Sequence, residues 1–220
     1  MPNPRAIFFD VGNTLLFPNR AKMLAPIALD RHPTLGQWQA IERRTKREFD
    51  EEVQSGRVNH GFWWNFHTHL LEELREDVEL RQDLVKNAHN SALWDQIVPG
   101  TREALDGFAR FFRIAVISNA DGRVGRTLAR CGIADCFESV TDSGNVGFEK
   151  PCAEIFAAAL ATIKIRPEES LYVGDVYSVD YLGARNAGMD AILFDVAGTY
   201  DKRDLPRVKS LEELGSWLRR

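Results

Sequence analysis

Four short hydrophobic runs, each stopped by polar turn residues, recur along the chain. They cover residues 6–9, 113–117, 170–173 and 191–194. Brief apolar runs bounded by turns are typical of strands that are buried on both faces of a sheet. A weaker run of the same kind covers residues 137–140, just before a glycine-rich turn. We therefore predict five strands, four of them from a strong pattern.

Helical periodicity occupies the intervals between these runs. The helical stretches cover residues 101–111, 122–130, 153–163 and 179–187. Strands that alternate with helices pair in parallel through right-handed crossover connections. The predicted fold class is therefore α/β, with a doubly wound parallel sheet that carries helices on both faces.

Residues 17–97 show a different pattern, with amphipathic helical stretches and no convincing strand. These stretches cover residues 35–53, 61–74 and 78–90. We predict that residues 17–97 form an α-helical cap domain and that residues 1–16 and 98–220 form the core domain. Because the insertion follows the first strand directly, the cap is expected to lie over the end of that strand.

Polar side chains follow three of the predicted strands at the point where each strand ends. They are Asp10, Ser118 and Asp175. Ligands of parallel α/β sheets bind beyond the carboxyl ends of the strands, so these side chains are expected to meet at one edge. The sequence therefore predicts a single functional site built from three distant stretches.

Composition narrows the possible functions. Of the 220 residues, 44% are hydrophobic and 27% are charged, and the net charge is −4. This balance is ordinary for a globular protein and argues against nucleic-acid binding, which needs a basic surface. The densest basic stretch, residues 43–47, is flanked by acids, and we interpret it as a solvated helix face.

Neither a membrane span nor a signal peptide is expected. No stretch approaches about 18 consecutive apolar residues, and Asp10 and Asn13 interrupt the hydrophobic run at the N-terminus. The three cysteines have no disulfide or metal-ligand spacing, so we expect reduced thiols in a cytoplasmic protein.

Four short motifs in a fixed order carry a family resemblance. They are FDVGNTL at residues 9–15, ISN at 117–119, GFEKP at 147–151, and VGD at 173–175 followed by Asp180. In this order and spacing, the chain resembles the haloacid dehalogenase superfamily, with a helical cap inserted after the first motif. The resemblance implies a Rossmann-like core and hydrolysis of a small phosphorylated metabolite.

The resemblance also implies roles for four side chains. Asp10 would be the nucleophile, because a carboxylate can attack phosphorus and form an aspartyl-phosphate. Ser118 and Asn119 would bind the oxygens of the transferred phosphoryl group through a hydroxyl and backbone N–H groups. Lys150 would lie beside Asp10 and bind the phosphate, because two carboxylates and a phosphate dianion need a neighbouring cation.

A magnesium site is implied at the same place. Asp10, Asp175 and the backbone carbonyl of Gly12 would bind Mg²⁺, which prefers a few oxygen ligands and bridges phosphate oxygens. Asp180 would orient Lys150 or a metal-bound water. Mg²⁺ is therefore the expected cofactor.

Gly12 departs from the family pattern. Most phosphatases of this superfamily have a second aspartate there, which protonates the leaving alcohol, and such groups contribute about 10²- to 10⁴-fold in rate. Glycine retains a carbonyl for the metal and tolerates backbone angles that other residues resist. A phosphatase would therefore need either a substitute donor or an undemanding leaving group. The candidate donors in the cap are His60, His67 and His69.

Three other interpretations remain open. Haloacid dehalogenases also lack the second aspartate, and Arg43 or Arg44 could hold the halide, but these enzymes use no metal and Asp175 is intact. A phosphonatase would need a Schiff-base lysine in the cap, for which Lys46 is the candidate. The chain could also be a weakened member that binds a phosphorylated ligand or a protein partner without turnover.

Overall fold

A six-stranded parallel sheet forms the centre of the protein. The structure is a computed structural model that describes residues 4–57 and 60–219, so the ends of the predicted core and residues 58–59 of the predicted cap lie outside it. In spatial order the strands are β5 (Ser139–Asp142), β4 (Arg113–Ser118), β1 (Ala6–Phe9), β6 (Ser170–Gly174), β7 (Asp190–Phe194) and β8 (Arg207–Val208). All neighbouring pairs run parallel, which confirms the predicted fold class.

Helices cover both faces of this sheet. They are α5 (Thr101–Ala109), α6 (Val124–Arg130), α7 (Ser143–Val146), α8 (Ala153–Ile163), α9 (Leu182–Asn186) and α10 (Leu211–Leu218). Side chains of β1 alternate between the two faces: Ile7 and Phe9 pack in the cluster with α5, α6 and α10, whereas Phe8 packs in the cluster with α8 and α9. This period of two, with both faces buried, explains why the strands read as continuous apolar runs.

The strand predictions are correct to within one residue for the four strong runs. The weak run at 137–140 was placed too early: β5 spans Ser139–Asp142, because a 3-10 turn over Ala134–Cys136 delays the start of the strand. The strand β8 was not predicted, because two residues are too few to show a pattern. The prediction of a regular helix over 179–187 is wrong at its start, where Tyr177–Tyr181 form a π-helix before α9.

Four helices make up most of residues 17–97, which we call the cap segment. They are α1 (Arg20–Met23), α2 (Leu35–Ser55), α3 (Phe62–Leu74) and α4 (Arg81–Ala88). A capping box between Thr34 and Gln37 begins α2, and Gly56, with a φ of 67°, ends it. The predicted helix over 78–90 is shorter than expected, because a 3-10 turn at Val78–Leu80 precedes α4.

Two short strands join the cap segment to the core. The strands β2 (Leu16–Phe17) and β3 (Gln96–Ile97) pair antiparallel, so both connections leave the core side by side. The expectation that the cap segment lacks strands is therefore wrong at its two ends. The helix α2 packs against the π-helix Tyr177–Tyr181, which lies at the carboxyl edge of the sheet. That residues 17–97 form a domain of their own stays a prediction.

Within the residues that the structure describes, no helix is both long enough and apolar enough to cross a membrane.

Candidate functional site

The three strand-end side chains converge as the topology requires. Asp10 follows β1, Ser118 ends β4 and Asp175 follows β6, and β1 lies between β4 and β6 in the sheet. Asp10, Asp175 and Asp180 each place a carboxylate oxygen within 4.8 Å of the others, and all three are buried. The structure thus brings Asp10, Ser118 and Asp175 to one edge of the sheet, as predicted.

Lys150 bridges two of these carboxylates. Its Nζ lies 2.6 Å from Oδ1 of Asp10 and 2.7 Å from Oδ1 of Asp180, and it donates to the hydroxyl of Tyr172 at 2.8 Å. Asn119 holds the main chain of Lys150: its side-chain oxygen accepts from the Lys150 N–H at 2.7 Å, and its amide donates to the Lys150 carbonyl at 3.0 Å. The side chain of Asn119 is thus used to place Lys150, which leaves its backbone N–H for the predicted contact with phosphate.

Both oxygens of Asp180 are already bound by the protein. Oδ1 accepts from Lys150, and Oδ2 accepts from the backbone N–H groups of Asp175 at 3.1 Å and Val176 at 2.9 Å. A Cβ at Gly174 would lie 2.5 Å from Cγ of Asp180, so only glycine permits this approach. Asp180 is therefore placed to orient Lys150 rather than to bind a metal directly.

Tyr172 is a part of the site that the sequence did not reveal. Its hydroxyl lies 3.1 Å from Oδ1 of Asp180 and 3.2 Å from the carbonyl of Ile117, in addition to its contact with Lys150. In the sequence, Tyr172 was one residue of an apolar strand. Its only signal was a phenol among aliphatic neighbours, which is common in strands.

Burial and mutual repulsion perturb the acids of the site. Burial raises the pKa of Asp10 to about 7, against the lowering effect of Lys150, and Asp180 and Asp175 raise it further. Burial likewise raises the pKa of Asp175 to about 6, although Lys46 opposes the shift. When ionised, Asp10, Asp175 and Asp180 carry three negative charges against the two positive charges of the neighbouring lysines. A further cation would therefore stabilise their ionised forms.

Lys46 of the cap segment reaches directly into this cluster. Its Nζ lies 2.8 Å from Oδ2 of Asp175 and 2.7 Å from Oε1 of Glu42, and only 1% of the side chain is exposed. Burial lowers its pKa, but Asp175 and Glu42 together raise it well above the usual value. The interpretation of residues 43–47 as a solvated face is therefore wrong for Lys46, because paired acids compensate for the burial of its charge.

Asp50, one turn further along α2, fastens the cap segment to the core. Its Oδ1 accepts from the backbone N–H of Ser178 at 2.8 Å, and its Oδ2 accepts from the hydroxyl of Tyr200 at 2.9 Å. On the same helix, Arg43 donates to the carbonyl of Ala197 at 3.0 Å. Polar contacts, not only apolar packing, hold α2 over the site.

Gly12 lies under the indole ring of Trp94. A Cβ at residue 12 would be 3.3 Å from Cζ3 of that ring, with two more ring carbons within 3.7 Å. The φ of Gly12 is not in the left-handed region, so the suggestion that glycine serves an unusual backbone angle is not supported. Trp94 fills space next to Gly12 and is anchored by donating from Nε1 to the carbonyl of Ala88 at 2.9 Å.

The three cap histidines contact residues other than the acids at the strand ends. His67 is fully buried, its Nδ1 donates to the carbonyl of Trp63 at 2.8 Å, and burial lowers its pKa to about 4. The ring of His69 bonds Thr45 and pairs with Glu48. His60 packs against an aromatic ring at the surface. Within the described part of the chain, none of the three forms a hydrogen bond to the acids at the strand ends.

The oxygens that remain fit a divalent cation. Among the described residues, Oδ2 of Asp10, Oδ1 of Asp175 and the carbonyl of Gly12 accept no hydrogen bond, whereas the other oxygens of these carboxylates face lysines. Two buried carboxylates and a carbonyl are hard oxygen donors of the kind that Mg²⁺ binds. The donor set is therefore compatible with the expected magnesium ion.

Known proteins resemble this chain in sequence and in structure. Residues 4–188 match the family model of haloacid dehalogenase-like hydrolases. The haloacid dehalogenase-like hydrolase domain-containing protein 3 of Xenopus laevis is 40% identical over 126 residues, which is 54% of this chain and 50% of that protein. The glyceraldehyde 3-phosphate phosphatase of Methanothermobacter thermautotrophicus is 41% identical over 105 residues, or 47% and 46% of the two chains.

These sequence matches span about half the length of either relative. A crystal structure of a hydrolase of this superfamily from Bacillus subtilis, bound to magnesium, superimposes with a TM-score of 0.72 at 21% identity and covers 98% of this chain and 99% of that one. At this identity the superposition shows the fold alone. The family model, however, covers most of the chain, and so the chain belongs to the haloacid dehalogenase-like hydrolases.

Proposed function

We propose that the protein is a Mg²⁺-dependent phosphatase of a small phosphorylated metabolite, acting through an aspartyl-phosphate on Asp10. The observation that carries the proposal is the intact pair of Asp10 and Asp175, each with one oxygen bound by a lysine and one oxygen that receives no hydrogen bond from residues 4–57 and 60–219. The glyceraldehyde 3-phosphate phosphatase among the relatives supports a phosphorylated substrate.

Lys150 prepares Asp10 for nucleophilic attack. Lys150 orients the Asp10 carboxylate by holding Oδ1, the carboxylate attacks phosphorus, and the bond from phosphorus to the leaving oxygen breaks as the acyl-phosphate forms. Ser118 and the backbone N–H of Asn119 bind the phosphoryl oxygens. A bound Mg²⁺ would supply charge that offsets the repulsion between the carboxylates and the phosphate. Attack by water on the acyl-phosphate then releases inorganic phosphate and restores Asp10.

Among the described residues, neither residue 12 nor a cap histidine is placed to give a proton to the leaving oxygen. Gly12 has no side chain, and His67 is buried with its Nδ1 bound to a backbone carbonyl. We therefore propose that the enzyme favours phosphates whose leaving groups are weak bases, or that the substrate carries its own acidic group near the ester oxygen. The same lack of a general base should slow hydrolysis of the aspartyl-phosphate.

Dehalogenation remains the second candidate, because the absence of an acid at Gly12 suits a halide that leaves without a proton. The fit of Asp175 to a metal site counts against it, since halide displacement needs no metal. Neither Arg43, which bonds a carbonyl, nor Arg44, which pairs with Glu48 and Glu72, is free to bind a halide. The phosphonatase alternative is weakened because the ammonium of Lys46 is held between two carboxylates.

The decisive experiment measures release of phosphate and of halide by the same preparation. We expect hydrolysis of p-nitrophenyl phosphate in Mg²⁺, its loss in Asp10→Asn, and its retention in Glu149→Gln, a matched change at an exposed acid. Beryllium fluoride with Mg²⁺ should protect the wild type but not Asp10→Asn against thermal unfolding. Halide release from 2-haloacids without Mg²⁺ would replace the proposal with dehalogenation, and the absence of any Asp10-dependent turnover would leave a ligand-binding role.

We also propose that the protein acts in the cytoplasm on a small molecule. The three cysteines, Cys131, Cys136 and Cys152, are all free thiols, as expected in a reducing compartment. Labelling of all three by a thiol reagent in freshly lysed cells would support this location, and complete protection by oxidation would contradict it.

A further inference from the structure

A cavity of about 490 Å³ lies between the cap segment and the core, next to the cluster of acids. Its lining includes Lys46, which contacts Asp175, and Asn13, three residues after Asp10. A cavity of this size is in the range of small-molecule sites, about 300–1,000 Å³, and is larger than a phosphate group alone requires. Its position next to the acids makes it the place for the rest of a substrate.

Arg20 is an uncommitted cation in the wall of this cavity. Its guanidinium lies over the ring of Trp38 at 5.0 Å, and in the described part of the chain it has neither a hydrogen bond nor an ion pair. Partial burial lowers its pKa, and the carboxylate of Glu42 partly offsets this effect. Glu42 itself is paired with Lys46 at 2.7 Å. A half-buried guanidinium with five free donors is suited to a planar or tetrahedral anion.

Arg20 lies apart from the acids along the direction of α2. Trp38, under Arg20, precedes Lys46 by eight residues on α2, which corresponds to about 12 Å along the helix axis. The lining also includes Asn13 and Gln39, whose side-chain amides can bind hydroxyl groups. The lining thus combines the guanidinium of Arg20 with side-chain amides, which suits a hydroxylated molecule that carries a second anion.

We infer that the substrate carries a second anionic group, a phosphate or a carboxylate, which Arg20 binds while the first phosphate reacts at Asp10. This inference rests on the proposed function and adds the class of substrate: a hydroxylated metabolite with a second acidic group besides the phosphate that reacts. Arg20 is then a specificity residue and not a catalytic one. Its cation–π contact with Trp38, 5.0 Å from the ring centroid, restrains the guanidinium before the substrate arrives, which reduces the entropy lost on binding.

Matched pairs of substrates test this assignment. 3-Phosphoglycerate and glycerol 3-phosphate differ in a carboxylate, and fructose 1,6-bisphosphate and fructose 6-phosphate differ in a second phosphate. We expect kcat/KM to favour the member with two anionic groups in at least one pair by about tenfold or more, since hydrogen bonds to charged groups contribute about 1.5–3 kcal/mol. The pair that shows the preference tells whether the second group is a carboxylate or a phosphate.

Substitution at Arg20 should remove that preference selectively. Arg20→Gln should lower kcat/KM about tenfold for the preferred substrate with two anionic groups and leave kcat/KM for p-nitrophenyl phosphate unchanged. Arg20→Lys should retain part of the preference. Arg31→Gln is the control, because Arg31 is a cap-segment arginine already paired with Glu76 at 2.8 Å. Melting curves establish that each variant folds.

A binding measurement decides the assignment even without turnover. Calorimetric titration of Asp10→Asn with the same four compounds should show that adding Arg20→Gln weakens binding of the compounds with two anionic groups. Equal binding of both members of each pair, or equal weakening of both by Arg20→Gln, would overturn the inference and leave the proposed phosphatase intact. Arg20-dependent preference for the compounds with two anionic groups, without any Asp10-dependent hydrolysis, would support Arg20 as the site of the second anion and refute the phosphatase.

Discussion

Giving residue 12 a carboxylate tests most directly whether the site lacks only a proton donor. The single change Gly12→Asp places the new side chain against Trp94, since even a Cβ would lie 3.3 Å from Cζ3. We therefore pair it with Trp94→Leu, which removes the ring. Gly12→Asn with Trp94→Leu is the matched control, because asparagine has nearly the same shape as aspartate and cannot act as a general acid.

The magnitudes decide which variant is informative. Crowding in a packed site costs about 1–3 kcal/mol, so Gly12→Asp alone should fold with reduced stability and place its carboxylate poorly. Trp94 is anchored on Ala88 and packs against Trp63 with ring centroids 5.3 Å apart, so it will not move aside freely. Removing a large buried aromatic costs about 3–5 kcal/mol, which a protein of ordinary stability, about 5–15 kcal/mol, can survive.

The assay is the dependence of rate on leaving-group basicity. With a series of aryl and alkyl phosphates in Mg²⁺, the rate of the wild type should decline steeply as the basicity of the leaving group rises. The reason is that an alkyl leaving group must depart as an alkoxide, without a proton. The double variant Gly12→Asp with Trp94→Leu should hydrolyse alkyl phosphates at least about tenfold faster than its asparagine control, a cautious fraction of the general-acid effect. Aryl phosphates should change little, since their leaving groups need no proton.

Folding and metal binding must be measured on each variant before the rates are compared. Circular dichroism and melting establish the fold, and calorimetry establishes Mg²⁺ binding. If the double variant folds, binds Mg²⁺ and keeps the steep dependence of the wild type, the absence of an acid at Gly12 is not what limits alkyl phosphates. The reason for glycine would then be room for Trp94.

Three further changes probe the electrostatics and docking of the site. Lys46→Met should tighten Mg²⁺ binding about tenfold or more by calorimetry, because an ammonium 2.8 Å from Asp175 repels a cation, whereas the exposed Lys86→Met should not. Mg²⁺ affinity should also fall by roughly 100-fold or more from pH 8 to pH 5, because protons displace the metal below the raised pKa values of Asp10, about 7, and Asp175, about 6; a flat profile would contradict these values. Asp50→Ala should lower the free energy of unfolding by about 1–3 kcal/mol and speed hydrogen exchange at residues 175–181, because two donors lose their acceptor; Glu51→Ala should do neither, and equal effects of the two would refute the docking role.

The core of the site was predictable because its position follows from local patterns and one rule of topology. Asp10, Ser118 and Asp175 each end an apolar run, and in a parallel sheet such ends lie at one edge. No knowledge of packing was needed, since neighbouring strands are held in register by their backbones. The motif around Lys150 gave its place beside Asp10 only through family resemblance, because 140 residues separate the two in the chain.

The contributions of the cap segment depended on how α2 docks, and the sequence contains no rule for that. A helix with charges on several faces does not reveal which face is buried, and burial of Lys46 is compensated only by Glu42 on its own helix and Asp175 on the core. Trp94 and Gly12 meet across the junction of the two segments, so neither residue alone indicates the contact. The sequence by itself determined the sheet, its helices and the acids at the strand ends, because these follow from side-chain periodicity and backbone pairing. Only the tertiary structure decided which cap residues face those acids, because that depends on the rotation of one helix against distant loops, where buried charges are stable only as completed pairs.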